Sequence, residues 1–423
     1  MSLSCNMEGY VSADVPGEKI PSLITPDEDL RHVLDVLNEG GYGAWVVGGA
    51  VRDSMLGLNV NEYDICTDAT PEEVIESFED TIPTGQRFGT ITVKSGDKLY
   101  EVTTLRTESD YGDGRRPDVV AWGKSLMVDL SRRDFTINSM AYDCKRELLH
   151  DPFNGKSDLK TGRLRAVGKA SNRLSEDGLR IMRAYRFMDR GLSGVWSPDN
   201  DLSNALIDNQ GMLSMVSIER IWSELKQIIV GRNAGKVMKR MSDDGVLHTI
   251  FGIPISSEKI SPITSLEQDL EARLAMIFSG VDSSEVISIL SKLKVSKDVL
   301  KRTKFLHSLL ELTPSADELR LYRNVLGDEV MTHADLLDAL GIDIELIKKS
   351  LQYPFNIECI VDGEWIMSRT GLEPGIRLGR LKQWLHKIQI ERNYTKTSQL
   401  ETALCTIPWK FGDVNNWPQP EWP

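Results

Sequence analysis

The triplet Glu62-Tyr63-Asp64 is where side chains of one chemical type first stand at a spacing that could do chemistry. On a strand, side chains alternate between faces, so Glu62 and Asp64 point the same way while Tyr63 and Ile65 turn to the core. Two carboxylates held side by side repel each other unless a proton or a divalent cation lies between them. An all-oxygen pair suits Mg²⁺, which keeps its remaining positions for water and phosphate oxygens. Glu101, on a later strand, reaches the same place if the two strands are neighbours. Taken alone, such a triplet also fits a solvated strand edge, so its surroundings decide. Just upstream, Val47-Gly48-Gly49-Ala50-Val51-Arg52-Asp53 sets two glycines between an apolar run and a helical pattern. Glycines there let backbone N–H groups approach a triphosphate, and Arg52 adds a forked cation for its oxygens. Gly155-Lys156-Ser157 resembles the end of a phosphate loop, but the position five before Gly155 is His150. An ordinary turn is expected there.

These residues need elements to hold them. Thr25-Pro26-Asp27-Glu28 supplies an N-cap, a proline at the first helical position and an acid three residues after the cap. The spacing of Leu30, Val33, Leu34 and Leu37 continues that helix to Gly40-Gly41. Ala44-Trp45-Val46-Val47 predicts a buried strand, Gly48-Gly49 a turn, and the stretch through Arg52 and Leu56 a helix. Asn61 to Thr67 predicts the next strand, and Thr70-Pro71-Glu72-Glu73 repeats the capping pattern. Thr90–Val93 and Leu99–Thr103 predict a hairpin joined at Ser95-Gly96-Asp97. Residues 104–128 are polar and glycine-containing, too long for a tight turn, and loops of that length are functional or disordered. Helices follow, one continuous from Ser175 to about Arg190 and another from Ser217 to Val230. Residues 251–265, rich in Ser, Ile and Pro, suggest a linker.

Composition restricts the classes. The 423 residues are 40% hydrophobic and 27% charged, an ordinary globular balance that excludes a collagen-like or wholly disordered chain. No run approaches the ~18 apolar residues of a membrane span, and no basic flank with an apolar run marks a secretory signal. Five scattered cysteines without a C-x-x-C spacing predict no disulfide framework, and six dispersed histidines offer no zinc site. A reducing, cytoplasmic location is expected. The net charge of −13 argues against coating nucleic acid by general electrostatics, yet between Leu130 and Arg240 there are 20 Lys/Arg against 13 Asp/Glu. Bound phosphates belong in that segment.

The blocks VVGGAVRDSMLG, EYDICTDATPEEV, FGTITV, YEVTTLR, RRDFTINSMAYD, DPFNGKSDLKTGRLRAVG, RLSEDGLRIMRAYRF and SIERIWSEL follow in that order over about residues 25–235. Together they resemble the class II tRNA nucleotidyltransferases, the CCA-adding enzymes, and their relatives the bacterial poly(A) polymerases. The resemblance implies an α+β, polymerase-beta-like head on a mixed sheet, followed by all-helical neck, body and tail. It implies catalytic carboxylates at Glu62, Asp64 and Glu101, with Glu62 and Asp64 as Mg²⁺ ligands. It also implies nucleotide-binding residues at Gly48, Gly49, Arg52, Arg133 and Asn138, and a nucleobase-reading helix carrying Asp177, Arg180, Arg183 and Arg186. Glu62 departs from the pattern, since the family's first metal acid is commonly aspartate. The implied organisation is a loose segment 1–24, a catalytic head 25–150, a neck 151–215 with the base-reading helix, a body and linker 216–265, and a helical tail 266–423 for tRNA.

The base-reading assignment also has a chemical basis. Cytosine and adenine both present an exocyclic amine beside a ring acceptor, whereas uracil and guanine present the opposite order. An aspartate acceptor beside an arginine donor therefore selects C and A. Asp177 and Arg180, three apart on a helix, share a face, with Arg183 on the same side and Arg186 turned to the opposite flank. A surface ladder of i,i+3 ion pairs is the plainer alternative. By resemblance the loop with Arg106, Asp110, Tyr111, Asp113, Arg115 and Arg116 serves the switch from C to A addition. Poly(A) polymerases carry a basic G-R-R-F-x-L-x-H-V element where this chain has Gly85-Gln86-Arg87-Phe88-Gly89-Thr90. The tail tryptophans Trp384, Trp409, Trp417 and Trp422 fit helix packing better than stacking on RNA. The expected reaction is addition of C, C and A to tRNA 3′ ends from CTP and ATP, recognising the acceptor arm, with no DNA or membrane partner. A poly(A) polymerase or A-adding enzyme is the nearest alternative, and a non-catalytic RNA-binding protein a more distant one. No oligomeric state follows from the sequence.

Overall fold

The computed structural model describes residues 13–109, 119–191 and 194–422. The chain forms two compact units, Met1–Ser257 and Glu258–Pro423. The boundary falls inside the 251–265 segment, which is no extended linker: it holds a short helix at Ser257–Ile260 and a 3₁₀ turn at Ser261–Ser265, with Ile255, Ile260 and Ile263 buried.

The first unit is built on an eight-stranded sheet: β1 (Gly17–Lys19), β2 (Ala44–Val47), β3 (Asp64–Thr67), β4 (Thr81–Gly85), β5 (Thr90–Ser95), β6 (Lys98–Thr104), β7 (Ala141–Asp143) and β8 (Leu148–His150). The spatial order is β1-β8-β7-β2-β3-β6-β5-β4. All neighbours are antiparallel except β3 and β6, which run parallel with Asp64 opposite Glu101. The mixed sheet and the helices after it make the α+β architecture expected from the sequence. The 17–19 strand corrects the expectation of a loose segment through residue 24. Its pairing with Leu148–His150 and the burial of Val15 and Ile24 tie residues 13–24 to the head.

All four residues of β2 are buried, so both faces of the sheet are covered. On one face Trp45 and Val47 pack with Cys66, Leu105, Leu126 and Leu130. The other is covered by α1 (Glu28–Glu39), whose Leu30, Val33, Leu34 and Leu37 are buried at the predicted helical spacing. Each such side chain contributes roughly 1.5–3 kcal/mol by leaving water. The N-cap of α1 is Asp27 rather than Thr25, because the Asp27 carboxylate accepts from the Leu30 N–H at 2.9 Å. Thr70 caps α3 (Pro71–Ser77) with the reciprocal Glu73 box that the sequence predicts. Strand β3 begins at Asp64 rather than Asn61, so Glu62 precedes the strand.

Helices α4 (Leu126–Ser131), α5 (Gly155–Thr161), α6 (Ala170–Glu176), α7 (Leu179–Met188), α8 (Asn200–Asp208) and α9 (Ile218–Ile229) follow. The Asp151 carboxylate accepts from the Gly155 and Lys156 N–H groups at 2.7 and 2.9 Å, so a carboxylate, not a phosphate, caps α5. The continuous helix expected from Ser175 to Arg190 is two helices. The chain breaks at Asp177, whose backbone is extended, and Gly178 passes so close to Met212 that a Cβ would lie 2.4 Å from its carbonyl oxygen. In the second unit, Trp417 is buried with Leu381, Leu385 and Leu404, with Trp384 and Trp409 packed against them. Trp422 meets Tyr322 edge-on at 4.6 Å. These tail tryptophans thus pack against neighbouring side chains, as the sequence favours. No helix among the described residues is long and apolar enough to cross a membrane.

Candidate active site

The carboxylates come together at the edge where β3 and β6 meet. Residues opposite each other in neighbouring strands share a face, so Asp64 and Glu101 project on the same side of the sheet. Burial raises the Asp64 carboxyl above the usual carboxylate range, opposed by Arg133 and reinforced by the charge of Glu62. Glu101 is raised by burial and then by the charges of Asp64 and Glu62. Like charges that raise one another leave a place where a cation is favoured. Among the described residues no three His, Cys, Asp or Glu side chains form a closed metal cage. The donor set nevertheless fits a hard cation bound through one or two carboxylates and completed by substrate phosphates.

Gly48 turns between β2 and α2 (Gly49–Met55) with φ of +66°, a left-handed conformation in which a Cβ would lie 3.2 Å from Arg133 Nη1. Glycine therefore lets Arg133 lie against the turn. Arg52, almost fully buried, donates to both Asp53 oxygens at 2.8 and 2.9 Å and to Asn138 Oδ1 at 2.6 Å. Asn138 in turn donates to Asp134 Oδ1 at 3.0 Å. The buried Asp129 takes Arg132 at 2.6 Å and Arg133 at 3.0 Å. Burial would raise Asp129, but these two guanidiniums outweigh it and hold the carboxyl below its usual range. Arg133 Nε is buried without a hydrogen-bond partner, and the Arg133 charge acts on Asp64.

The arginines after the helix break are anchored in the same way. Arg180 Nη1 donates to the Arg173 carbonyl at 2.9 Å and to Glu176, and its Nη2 donates to the Arg132 carbonyl at 3.0 Å. Arg183 pairs with Asp134 through Nε at 2.7 Å and Nη2 at 2.6 Å. Burial alone would raise Asp134, but Arg183 and Asn138 push it down to about 2. Arg186 donates to Glu224 at 2.5 Å. Asp177 Oδ1 accepts from the Leu179 N–H at 3.0 Å, and Oδ2 from Arg220 at 2.8 Å. Arg186 does not turn to the opposite flank: with Arg52 and Arg183 it lies over the Phe187 ring, their guanidinium carbons 4.5–5.3 Å from its centre.

One open cleft of about 590 Å³ collects Gly48, Gly49, Arg52, Glu62, Asp64, Arg133, Asn138, Asp177, Arg180, Arg183 and Arg186. Glu101 lies beside Asp64 in the sheet and is not part of that wall. Arg132, Asp134, Leu179, Phe187 and Arg220 also line the cleft and were missed in the sequence reading. Arg132 and Asp134 adjoin a chosen arginine and Phe187 adjoins Arg186, whereas Arg220 carries no local signal. Of the loop residues, Arg106 opens a strand, Arg106–Ser109, paired with Val119–Trp122, and donates to the Phe88 carbonyl at 2.6 Å. Asp110, Tyr111, Asp113, Arg115 and Arg116 lie outside the described residues.

A carboxylate edge beside an arginine-walled cleft, on a mixed sheet, defines a nucleotidyltransferase head. Residues 44–165 match the Poly A polymerase head domain family, and residues 197–258 match the family described as the probable RNA and SrmB-binding site of polymerase A. The CCA-adding enzyme of Lactococcus lactis subsp. lactis is 35% identical over 398 residues, 90% of this chain and 96% of that protein. That of Lactobacillus delbrueckii subsp. bulgaricus is 34% identical over 360 residues, covering 82% and 90%. The crystal structure of the Bacillus stearothermophilus CCA-adding enzyme in complex with CTP superposes with a TM-score of 0.75 at 25% identity, covering 90% of this chain and 98% of that one. The Thermotoga maritima CCA-adding enzyme complexed with tRNA shares the fold, with a TM-score of 0.68 at 21% identity over 92% and 99% of the two chains. The chain belongs to the family of CCA-adding enzymes, within the class II group that also holds the poly(A) polymerases, and is a nucleotidyltransferase.

Proposed function

We propose that this chain adds C, C and A in turn to tRNA 3′ ends, taking CMP and AMP from CTP and ATP and releasing pyrophosphate without a nucleic-acid template. One observation carries the reading: the Asp64–Glu101 edge and the Asp177–Arg180 segment belong to one neighbourhood, joined by the arginine-walled cleft. The metal is Mg²⁺, which, when bound, polarises the nucleotide α-phosphate and lowers the pKa of the RNA 3′-hydroxyl. Glu62 and Asp64 hold it, and Glu101 supports Asp64 across the sheet. Gly48 and Gly49 leave the backbone open to the triphosphate, while Arg133 and Arg52 face its oxygens. Asn138 holds Arg52 in place through a 2.6 Å bond. Asp177 accepts from the exocyclic amine of cytosine or adenine, and Arg180 donates to the ring nitrogen. The carboxylates and carbonyls around the arginines fix them before the nucleotide arrives, so little reorganisation is left for the transfer step.

The tRNA acceptor arm is recognised through shape and backbone by the basic region 130–240 and the helical tail. Described cysteines Cys66, Cys144, Cys359 and Cys405 are free thiols, which fits a reducing, cytoplasmic location. The test is incorporation of labelled CTP and ATP on tRNAs ending before CCA or after CC, and on unrelated RNA. Extension of the first by three nucleotides and of the second by one is expected. Long A tracts on unrelated RNA would instead assign a poly(A) polymerase.

A further inference from the structure

Phe187, near the end of α7, lines the cleft and is only 2% exposed. A phenylalanine so buried would ordinarily pack among apolar side chains. Here three guanidinium carbons lie over its ring, those of Arg186 at 4.5 Å, Arg52 at 5.1 Å and Arg183 at 5.3 Å from the centre. All are inside the roughly 6 Å within which the negative face of an aromatic ring attracts a cation. Arg52 and Arg186 are themselves largely out of water, which strengthens that attraction. Three like charges within 5.3 Å of one point also repel one another. The repulsion is felt at Arg186, held below its ordinary pKa first by burial and, against the pull of Glu224, by the charge of Arg183. Carboxylates answer the charges separately, Asp53 for Arg52, Asp134 for Arg183 and Glu224 for Arg186. These acids stand on different segments, whereas the ring meets all three cations directly. The ring is in turn oriented by Phe135, which forms a T-shaped pair with it at 5.7 Å. Phe135 lies between Asp134 and Asn138, the partners of Arg183 and Arg52. The aromatic pair thus joins the arginine of α2 to those of α7.

We infer that Phe187 is a positioning residue for nucleotide binding, its ring a common seat that holds Arg52, Arg183 and Arg186 at the spacing a triphosphate needs. The inference rests on the reading of Arg52 as a triphosphate-facing cation. An incoming triphosphate brings the charge that neutralises the cluster, and it meets cations already gathered, so little binding energy goes into ordering side chains. Without the π face the guanidiniums move apart, and binding must bring them together again. Asp177 and Arg180, which read the base, are held by other partners. CTP and ATP therefore lose affinity alike.

The test is CTP and ATP binding to the full chain with Mg²⁺, by titration calorimetry. It compares wild type, Phe187→Leu, Arg52→Ala and a series in which mono-, di- and trifluorophenylalanine replace Phe187. Fluorine draws electron density from the π face and changes the ring's size little, so the series separates the attraction for cations from packing. The Kd for both nucleotides should rise at each step, to about tenfold with three fluorines, equivalent to about 1.4 kcal/mol. Phe187→Leu, which keeps apolar bulk without a π face, should lose at least as much. A flat fluorine series, or tighter binding along it, overturns the inference; a flat series beside a weakened leucine variant would leave Phe187 a packing residue only. A loss confined to one nucleotide would place the ring at the base and overturn it as well. If Arg52→Ala weakens CTP binding while the series stays flat, the inference fails and the reading of Arg52 stands. If Arg52→Ala leaves CTP binding unchanged, that reading fails and the inference with it.

Discussion

Replacing Asp134 by asparagine tests how the cleft's arginines are held. The carboxylate accepts four bonds: Phe135 N–H at 2.8 Å and Asn138 Nδ2 at 3.0 Å on one oxygen, and Arg183 Nε and Nη2 on the other. An asparagine that keeps its oxygen toward Phe135 and Asn138 turns an N–H toward the guanidinium. The magnitude follows from linkage. With the folded-state pKa at about 2 against 3.8 for the free carboxyl, the ionised form is favoured by about 2 kcal/mol, at 1.36 kcal/mol per pH unit. Losing one partner of a fully buried pair costs about 3–5 kcal/mol, but Arg183 is one-third exposed, so the lower figure governs. The first unit's thermal transition should fall by roughly 4–8 °C at pH 7. A depressed folded pKa gives stability that is present above pH 3.8 and lost as pH falls toward 2. The gap between wild type and variant should therefore shrink by about half at pH 3. Calorimetry of both proteins from pH 7 to pH 3 measures it. Equal transitions at pH 7, or a gap that stays constant on acidification, would refute the assigned role of Asp134.

Three further outcomes are expected. Gly178→Ala places a methyl 2.4 Å from the Met212 carbonyl oxygen, a backbone clash costing about 1–3 kcal/mol, and should weaken discrimination against UTP by shifting Asp177; both are read by urea unfolding and nucleotide addition. Gly48→Ala forces alanine to φ of +66° and toward Arg133, costing about 1–2 kcal/mol, and should raise KM for CTP in steady-state kinetics more than it lowers stability. Asp64→Asn in the metal-free protein should raise the melting temperature at pH 7, because the folded-state pKa is raised and the charged form is a penalty above it. That gain should fade as pH drops through the raised pKa toward the ordinary carboxylate range, and a gain that grows on acidification would contradict it.

Much of the head was legible because its signals are local. The Thr70 box, the four-residue apolar run of β2, the 90–104 hairpin and the apolar spacing of α1 each depend on residues a few positions apart. The Asp64–Glu101 neighbourhood was conditional in the sequence, since only strand order could decide it, and β3 pairs with β6. The helix break at Asp177 escaped because its cause is distant: Gly178 is required by the Met212 carbonyl, which no nearby pattern announces. Arg220 escaped for the same reason, being brought to the cleft by the packing of α9 with α7 rather than by its own segment. The helix end at Asp27 was misplaced by two residues because a threonine and an aspartate compete to cap, and the Lys98 ammonium favours the aspartate.

The most direct measurement is Mg²⁺-dependent transfer of labelled CMP to tRNA lacking its terminal CCA by wild type and Asp64→Ala, with folding checked by circular dichroism and melting. The account predicts three-nucleotide extension by wild type, and no product from a variant that remains folded. Product formed by folded Asp64→Ala at a rate near wild type would contradict the carboxylate edge as the seat of transfer.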